Sequence, residues 1–76
     1  DYEKKLRDAI LTQDGVVDID LLHSRMFGNK VYIDLEISVD GDKSLWEAHE
    51  VAERVHKNVE KSFSDVKHIM IHVNPA

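Results

Sequence analysis

One run constrains this chain more than any other. In Val31–Val39, the residues Val31, Ile33, Leu35, Ile37 and Val39 alternate without a slip with Tyr32, Asp34, Glu36 and Ser38. A period of two over that length is a β-strand with one apolar and one polar face. The apolar face has to be covered, and two stretches can supply helices to cover it. Residues 1–12 place Tyr2, Leu6, Ala9 and Ile10 on one helical face. Residues 44–63 bring Leu45, Ala48, Ala52, Val55, Val59 and Phe63 round at steps of three or four. Ser44 opens this longer helix with Glu47 at capping-box spacing. Glu50–Arg54 and Glu53–Lys57 are i,i+4 pairs for its wet side.

The remaining segments complete a small α/β unit. Gln13-Asp14-Gly15 stops the first helix. Val16–Met26 reads as a strand in which Val17, Ile19 and Leu21 alternate with Asp18 and Asp20. Leu22 breaks that alternation, which marks a bulge or a residue at an interface. Phe27-Gly28-Asn29-Lys30 is the hairpin connection to the central strand. Val66–Val73 is a third strand, with Ile69, Ile71 and Val73 on one side and His68, Met70 and His72 on the other, continued by Asn74 and stopped by Pro75. The order is α-β-β-α-β, and a right-handed crossover through the long helix makes the third strand parallel to the second. The expected fold class is therefore α+β: a three-stranded mixed sheet with both helices on one face. Residues 1–76 make one small domain.

Composition narrows the functions. A chain this short buries only about 60% of its unfolded surface, so a metal or a partner subunit would be a welcome source of stability. There is no Cys to form disulfides, and the net charge of −5 argues against nucleic acid. No apolar run approaches the ~20 residues that cross a bilayer, so this piece does not insert into a membrane. A start without Met, in a charged helix, is what a fragment of a longer protein would have. Enzyme motifs are absent: no nucleophile elbow, and no Gly-rich loop. His49-Glu50-Val51-Ala52-Glu53 approaches the zincin helix but ends in Glu where a second His is required.

Parity sends Asp20, Asp34, Glu36, His68, His72 and Asn74 to the face away from the helices. On neighbouring strands, Asp34 and His72 can approach each other. A carboxylate and an imidazole suit a borderline divalent cation such as zinc. Without a thiolate in the set, manganese, iron(II), cobalt and cadmium stay open. The competing reading is plain solvation, the commoner fate of Asp and His on an exposed strand. By spacing, His49 fits a half-buried, hydrogen-bonded histidine, His56 with Glu53 and Glu60 fits a solvated helix face, and His23 is exposed. Leu22 and Met70 are apolar on this polar face and are expected to be buried between subunits.

Four stretches together resemble the C-terminal cytoplasmic domain of cation diffusion facilitator (cation efflux) transporters. Gly15-Val16 leading to Leu22-His23-Ser24-Arg25-Met26-Phe27-Gly28 is similar to the family's L-R-x-R-x-x-G. The central strand, Val31–Val39, is followed by Asp40. Ser44–Ala52 is similar to the L-x-x-A-H-x-[IV]-[AS] helix, and Ile71-His72-Val73-Asn74-Pro75 to [IV]-H-[IV]-[ED]-P. The resemblance implies a ferredoxin-related, metallochaperone-like fold and a V-shaped homodimer on the cytoplasmic side of a membrane, beneath the protein's own transmembrane domain. It also implies divalent-cation binding near the dimer interface, with Asp34, His49 and His72 at metal-binding positions and Asp20 at a further ligand position. Asn74 stands where many members have an acidic residue, and His23 replaces the usual Arg. A free-standing metal-buffering or ligand-binding module of ferredoxin-like fold is the alternative.

Overall fold

A computed structural model of the chain describes residues 2–76; Asp1, expected to begin the first helix, lies outside the described residues. The elements are α1 (Tyr2–Leu11), β1 (Asp18–Phe27), β2 (Lys30–Val39), α2 (Leu45–Ser62) and β3 (Val66–Pro75), in the expected order. The sheet runs β1-β2-β3, with β2 antiparallel to β1 and parallel to β3. The alternating strand takes the centre because its apolar face fills the core: Val31, Ile33, Leu35, Ile37 and Val39 are all buried. Leu6 and Ile10 of α1 and Val51, Val55 and Val59 of α2 close over them. Each such side chain stabilises by about 1.5–3 kcal/mol on burial, so this one layer supplies most of the driving force for folding.

The long helix begins as its sequence dictates. Ser44 accepts a hydrogen bond from the Glu47 N–H at 3.1 Å, and the Glu47 carboxylate accepts one from the Ser44 N–H at 3.1 Å. Its buried stripe differs from the one read by spacing. Leu45 is 89% exposed, at the edge of an open groove that it lines with Val39, Val73 and Pro75. Val51 is buried, while Ala52 sits on the flank. Steps through 48, 51, 55 and 59 satisfy a helical period as well as steps through 48, 52, 55 and 59, and the larger Val takes the central place. The ion pairs along α2 also differ. His56 faces Glu60 at 3.2 Å and Glu53 at 4.0 Å, in place of the Glu50–Arg54 and Glu53–Lys57 pairs.

Val51 explains the turn before β1. Gly15 has φ +94°, and a Cβ built there would lie 2.6 Å from Val51 Cγ2. Both the backbone angle and the packing therefore require glycine. At the other end of β1, Gly28 with φ +62° occupies the first position of a two-residue hairpin turn, where a type II′ turn calls for glycine.

Candidate metal centre

The hairpin turn sets the register of the open face. Counting back from the Phe27–Lys30 pair, Arg25 lies opposite Tyr32 and His23 opposite Asp34. On the other side of β2, Tyr32 pairs with His68, Asp34 with Met70, Glu36 with His72 and Ser38 with Asn74. Asp34 and His72 therefore stand on the same face, one step apart diagonally and not directly opposite. Asp34 is engaged: Arg25 Nη2 donates to its Oδ2 at 3.2 Å. That ion pair is exposed on both sides and is worth little in water.

Asp20 reaches the open face by a different route. The β1–β2 register slips between Ile19 and Leu21, leaving Asp20 as the extra residue of a β-bulge. The Ser38 hydroxyl donates to its Oδ1 at 2.8 Å and the Asn74 amide to its Oδ2 at 3.0 Å. These two bonds, Asn74 first, hold the Asp20 carboxyl below its ordinary pKa, slight desolvation opposing. The same amide donates to Glu36 Oε1 at 3.2 Å. The carboxylates of β1 and β2 thus meet on one amide of β3.

The bulge also corrects an expectation. It inverts the parity of the residues that follow, so Leu22 pairs with Leu35 and packs against the core. Leu21, 46% exposed, and Phe27, 60%, are the β1 apolar residues on the open face, and across the central strand Met70 of β3 is 50% exposed. At the hairpin end, Phe27 meets Tyr32 edge-on with ring centroids 5.2 Å apart, and His68 lies 6.3 Å from Tyr32.

His49 lies elsewhere. It is exposed on α2, beside Trp46 with rings 6.4 Å apart. It borders an open groove of about 220 Å³ with Ala52, Glu53, His56 and the helix-facing Ile69 and Ile71. His49 and His72 are thus on opposite sides of β3. Among the described residues, no three His, Asp or Glu side chains are placed to hold one ion. The donors fit a divalent cation in chemistry, being carboxylate, imidazole and amide.

Two participants escape a reading by strand parity alone. Glu36 shares the Asn74 amide, and only the parallel register, counted residue by residue, brings those two together. Arg25 on Asp34 is legible in the sequence, since a two-residue turn fixes which β1 side chains flank residue 34.

A three-stranded mixed sheet carrying two helices on one face and polar donors on the other defines a ferredoxin-like α+β module. The chain belongs to the cytoplasmic domains of cation efflux proteins, whose family model matches residues 1–76. That is a family of transporter domains and not of enzymes. The manganese efflux system protein MneP of Bacillus subtilis (strain 168) is 31% identical over 72 residues, which is 95% of this chain and 24% of that protein. Metal tolerance protein C1 of Arabidopsis thaliana is 35% identical over 71 residues, 93% of this chain and 15% of that protein. The chain thus spans a quarter or less of these relatives. The fold matches that of the MamM CTD with a TM-score of 0.94 at 22% identity, covering 97% of this chain and 94% of that one. A manganese form of a MamM CTD variant matches with a TM-score of 0.93. No helix among the described residues is long and apolar enough to cross a membrane.

Proposed function

We propose that this chain is the cytoplasmic regulatory domain of a divalent-cation efflux transporter. In this reading it forms a homodimer, holds the ion near the dimer interface, and belongs to a longer protein whose transmembrane part moves the cation. Asp34 and His72 are the principal ligands, with Asp20 and His49 contributing. The observation that carries the reading is the composition of the open face. Asp34 and His72 share it with Leu21 and Met70, which stay exposed in a single copy. Covering those apolar side chains with a second copy would bring two sets of donors together. His49, on the far side of β3, could then complete a site only where a partner approaches it.

Charge supplies the coupling. Two copies, each formally −5, repel when their acidic faces approach. Arg25 offsets part of that repulsion at Asp34, and a divalent cation there would offset more. A ligand that binds one arrangement of the two subunits better shifts the population toward it by its difference in affinity. Zinc is the first choice from a carboxylate–imidazole set, while the relatives' names keep manganese and other divalent ions in view.

Calorimetric titration with zinc and with manganese, alongside sedimentation, tests the reading. Wild type is expected to bind and to sediment as a dimer at tens of micromolar. Asp34→Ala with His72→Ala is expected to lose binding while keeping its circular dichroism spectrum, since neither side chain lies in the core. Undiminished binding by the double variant would refute the ligand assignment, and a monomer with and without metal would refute the dimer.

A further inference from the structure

All three strands contribute to one polar corner of the sheet. β1 brings Asp20 there through its bulge, β2 brings Glu36 and Ser38, and β3 brings Asn74. The Asn74 amide group has two hydrogens, and each goes to a different carboxylate: Asp20 Oδ2 at 3.0 Å and Glu36 Oε1 at 3.2 Å. Ser38 occupies the other Asp20 oxygen at 2.8 Å and is itself buried. Two carboxylates at adjoining strand positions repel. A neutral amide that donates to both offsets the repulsion by charge-assisted hydrogen bonds.

A divalent cation would offset the same repulsion more strongly, through the same oxygens. To reach Asp20 Oδ2 or Glu36 Oε1 it has to displace the amide. We infer that Asn74 is a latch: its side chain competes with a divalent cation for the Asp20 and Glu36 carboxylates and thereby sets the concentration at which the domain responds. This rests on the metal-binding reading above. A binding-competent arrangement that is only partly populated lowers the apparent affinity by the populated fraction. The bonds between Asn74 and the two carboxylates keep that fraction low. Asn74 is therefore a positioning residue.

The sign of its effect separates a latch from a merely structural contact. Loss of a structural contact would weaken binding, whereas loss of a competitor tightens it. In calorimetry with zinc alone as probe, Asn74→Ala is expected to bind about three- to tenfold tighter than wild type, the scale of one or two modest net hydrogen bonds. Its melting temperature before zinc is added should fall. In an Asp20→Ala, Glu36→Ala background the same substitution should change affinity by less than twofold. The second readout needs no variant. The side-chain Nδ2 proton resonances of Asn74, shifted by the carboxylates before zinc is added, should move to free-amide positions at saturation. Equal or weaker zinc binding by Asn74→Ala would overturn the latch, as would wild-type amide resonances that stay put while zinc binds. Zinc binding abolished by Asp34→Ala with His72→Ala yet indifferent to Asn74→Ala would sink the latch alone; no zinc uptake by wild type would sink the metal reading and the latch with it. If Asn74→Ala does not fold, the wild-type resonances decide.

Discussion

Replacing Gly15 by Ala tests whether the turn before β1 is held by packing as well as by backbone geometry. At φ +94° an L-residue is strained, at about 1–2 kcal/mol for a left-handed conformation. The new methyl would also sit 2.6 Å from Val51 Cγ2, a side chain fixed in the core between α2 and the sheet. Overpacking of that kind costs about 1–3 kcal/mol, because the neighbour has to leave its rotamer or the helix has to shift. The lower entropy of the unfolded chain returns roughly 0.4–1 kcal/mol. The net loss is about 1–5 kcal/mol, and its midpoint of ~3 kcal/mol corresponds to roughly 12–24 °C in melting temperature for a domain of this size. Gly28→Ala is the control. Its φ is also positive, but nothing lies within 4 Å of the added Cβ, so only the backbone part remains. Thermal and urea melts followed by circular dichroism measure both. The pair Gly15→Ala with Val51→Ala should cost less than the sum of the singles, since the second change removes the clash. A packing role for Gly15 is excluded if Gly15→Ala costs no more than Gly28→Ala, or if the double variant is additive.

Ser44→Ala removes the N-cap of α2 and should cost about 0.5–2 kcal/mol in a urea melt; no loss would mean the capping box is idle in solution. Tyr2→Phe should hold or raise the melting temperature: the Tyr2 hydroxyl is buried with no hydrogen-bond partner among the described residues, and burial, with Asp65 adding, pushes the phenol pKa up. The ring contact with Phe63 survives this change, so a marked loss would reveal a bond to the hydroxyl. Asp20 and Glu47 both titrate below their ordinary values of 3.8 and 4.5 in the folded chain, held by Asn74 and Ser38 and by Ser44 respectively. A lowered carboxyl pKa contributes stability above the unfolded value and loses it as pH falls through the folded one. The melting temperature should therefore decline as pH drops below about 4.5, and less steeply in Asn74→Ala. An equal slope in the two proteins would exclude Asn74 as the source of the Asp20 shift. Because an imidazole has to be neutral to bind a cation, zinc affinity should also fall below about pH 6, and a flat calorimetric profile would exclude His ligands.

The layer beneath the site is legible in the residues alone. Nine alternating residues leave one choice for which side of β2 is buried, and the helices that cover it announce themselves by spacing and by the Ser44–Glu47 cap. Where periodicity is degenerate, reading stops. The long helix accepts Ala52 or Val51 at its buried centre with equal regularity, and only packing against Gly15 and the sheet chooses Val51. The bulge at Asp20 is the sharper case. An extra residue in a strand reverses every side chain after it, so one continuous alternation along β1 puts Leu22 on the open face and Leu21 inward, the reverse of their places in the fold. Asp34 and His72 do share a face, as their parity requires, because β2 and β3 carry no slip between those residues. Their diagonal offset, and the Asn74 bridge between Asp20 and Glu36, depend on a parallel register that no turn fixes. α2 delivers Val66 beside Val31, where the Val31 N–H donates to the Asp65 carbonyl at 2.9 Å, and a one-residue slip before the Tyr32–His68 pair then sets Glu36 opposite His72 and Ser38 opposite Asn74.

The proposed function stands or falls on a divalent cation held on the open face of the sheet by Asp34 and His72, where two copies meet. Anomalous scattering from crystals grown with zinc locates the ion, its ligands and the dimer axis together. The expected result is a peak about 2.0–2.2 Å from an Asp34 carboxylate oxygen and an imidazole nitrogen of His72, with a second copy packed over Leu21 and Met70. A peak confined to α2, with the open face turned to solvent, would contradict it.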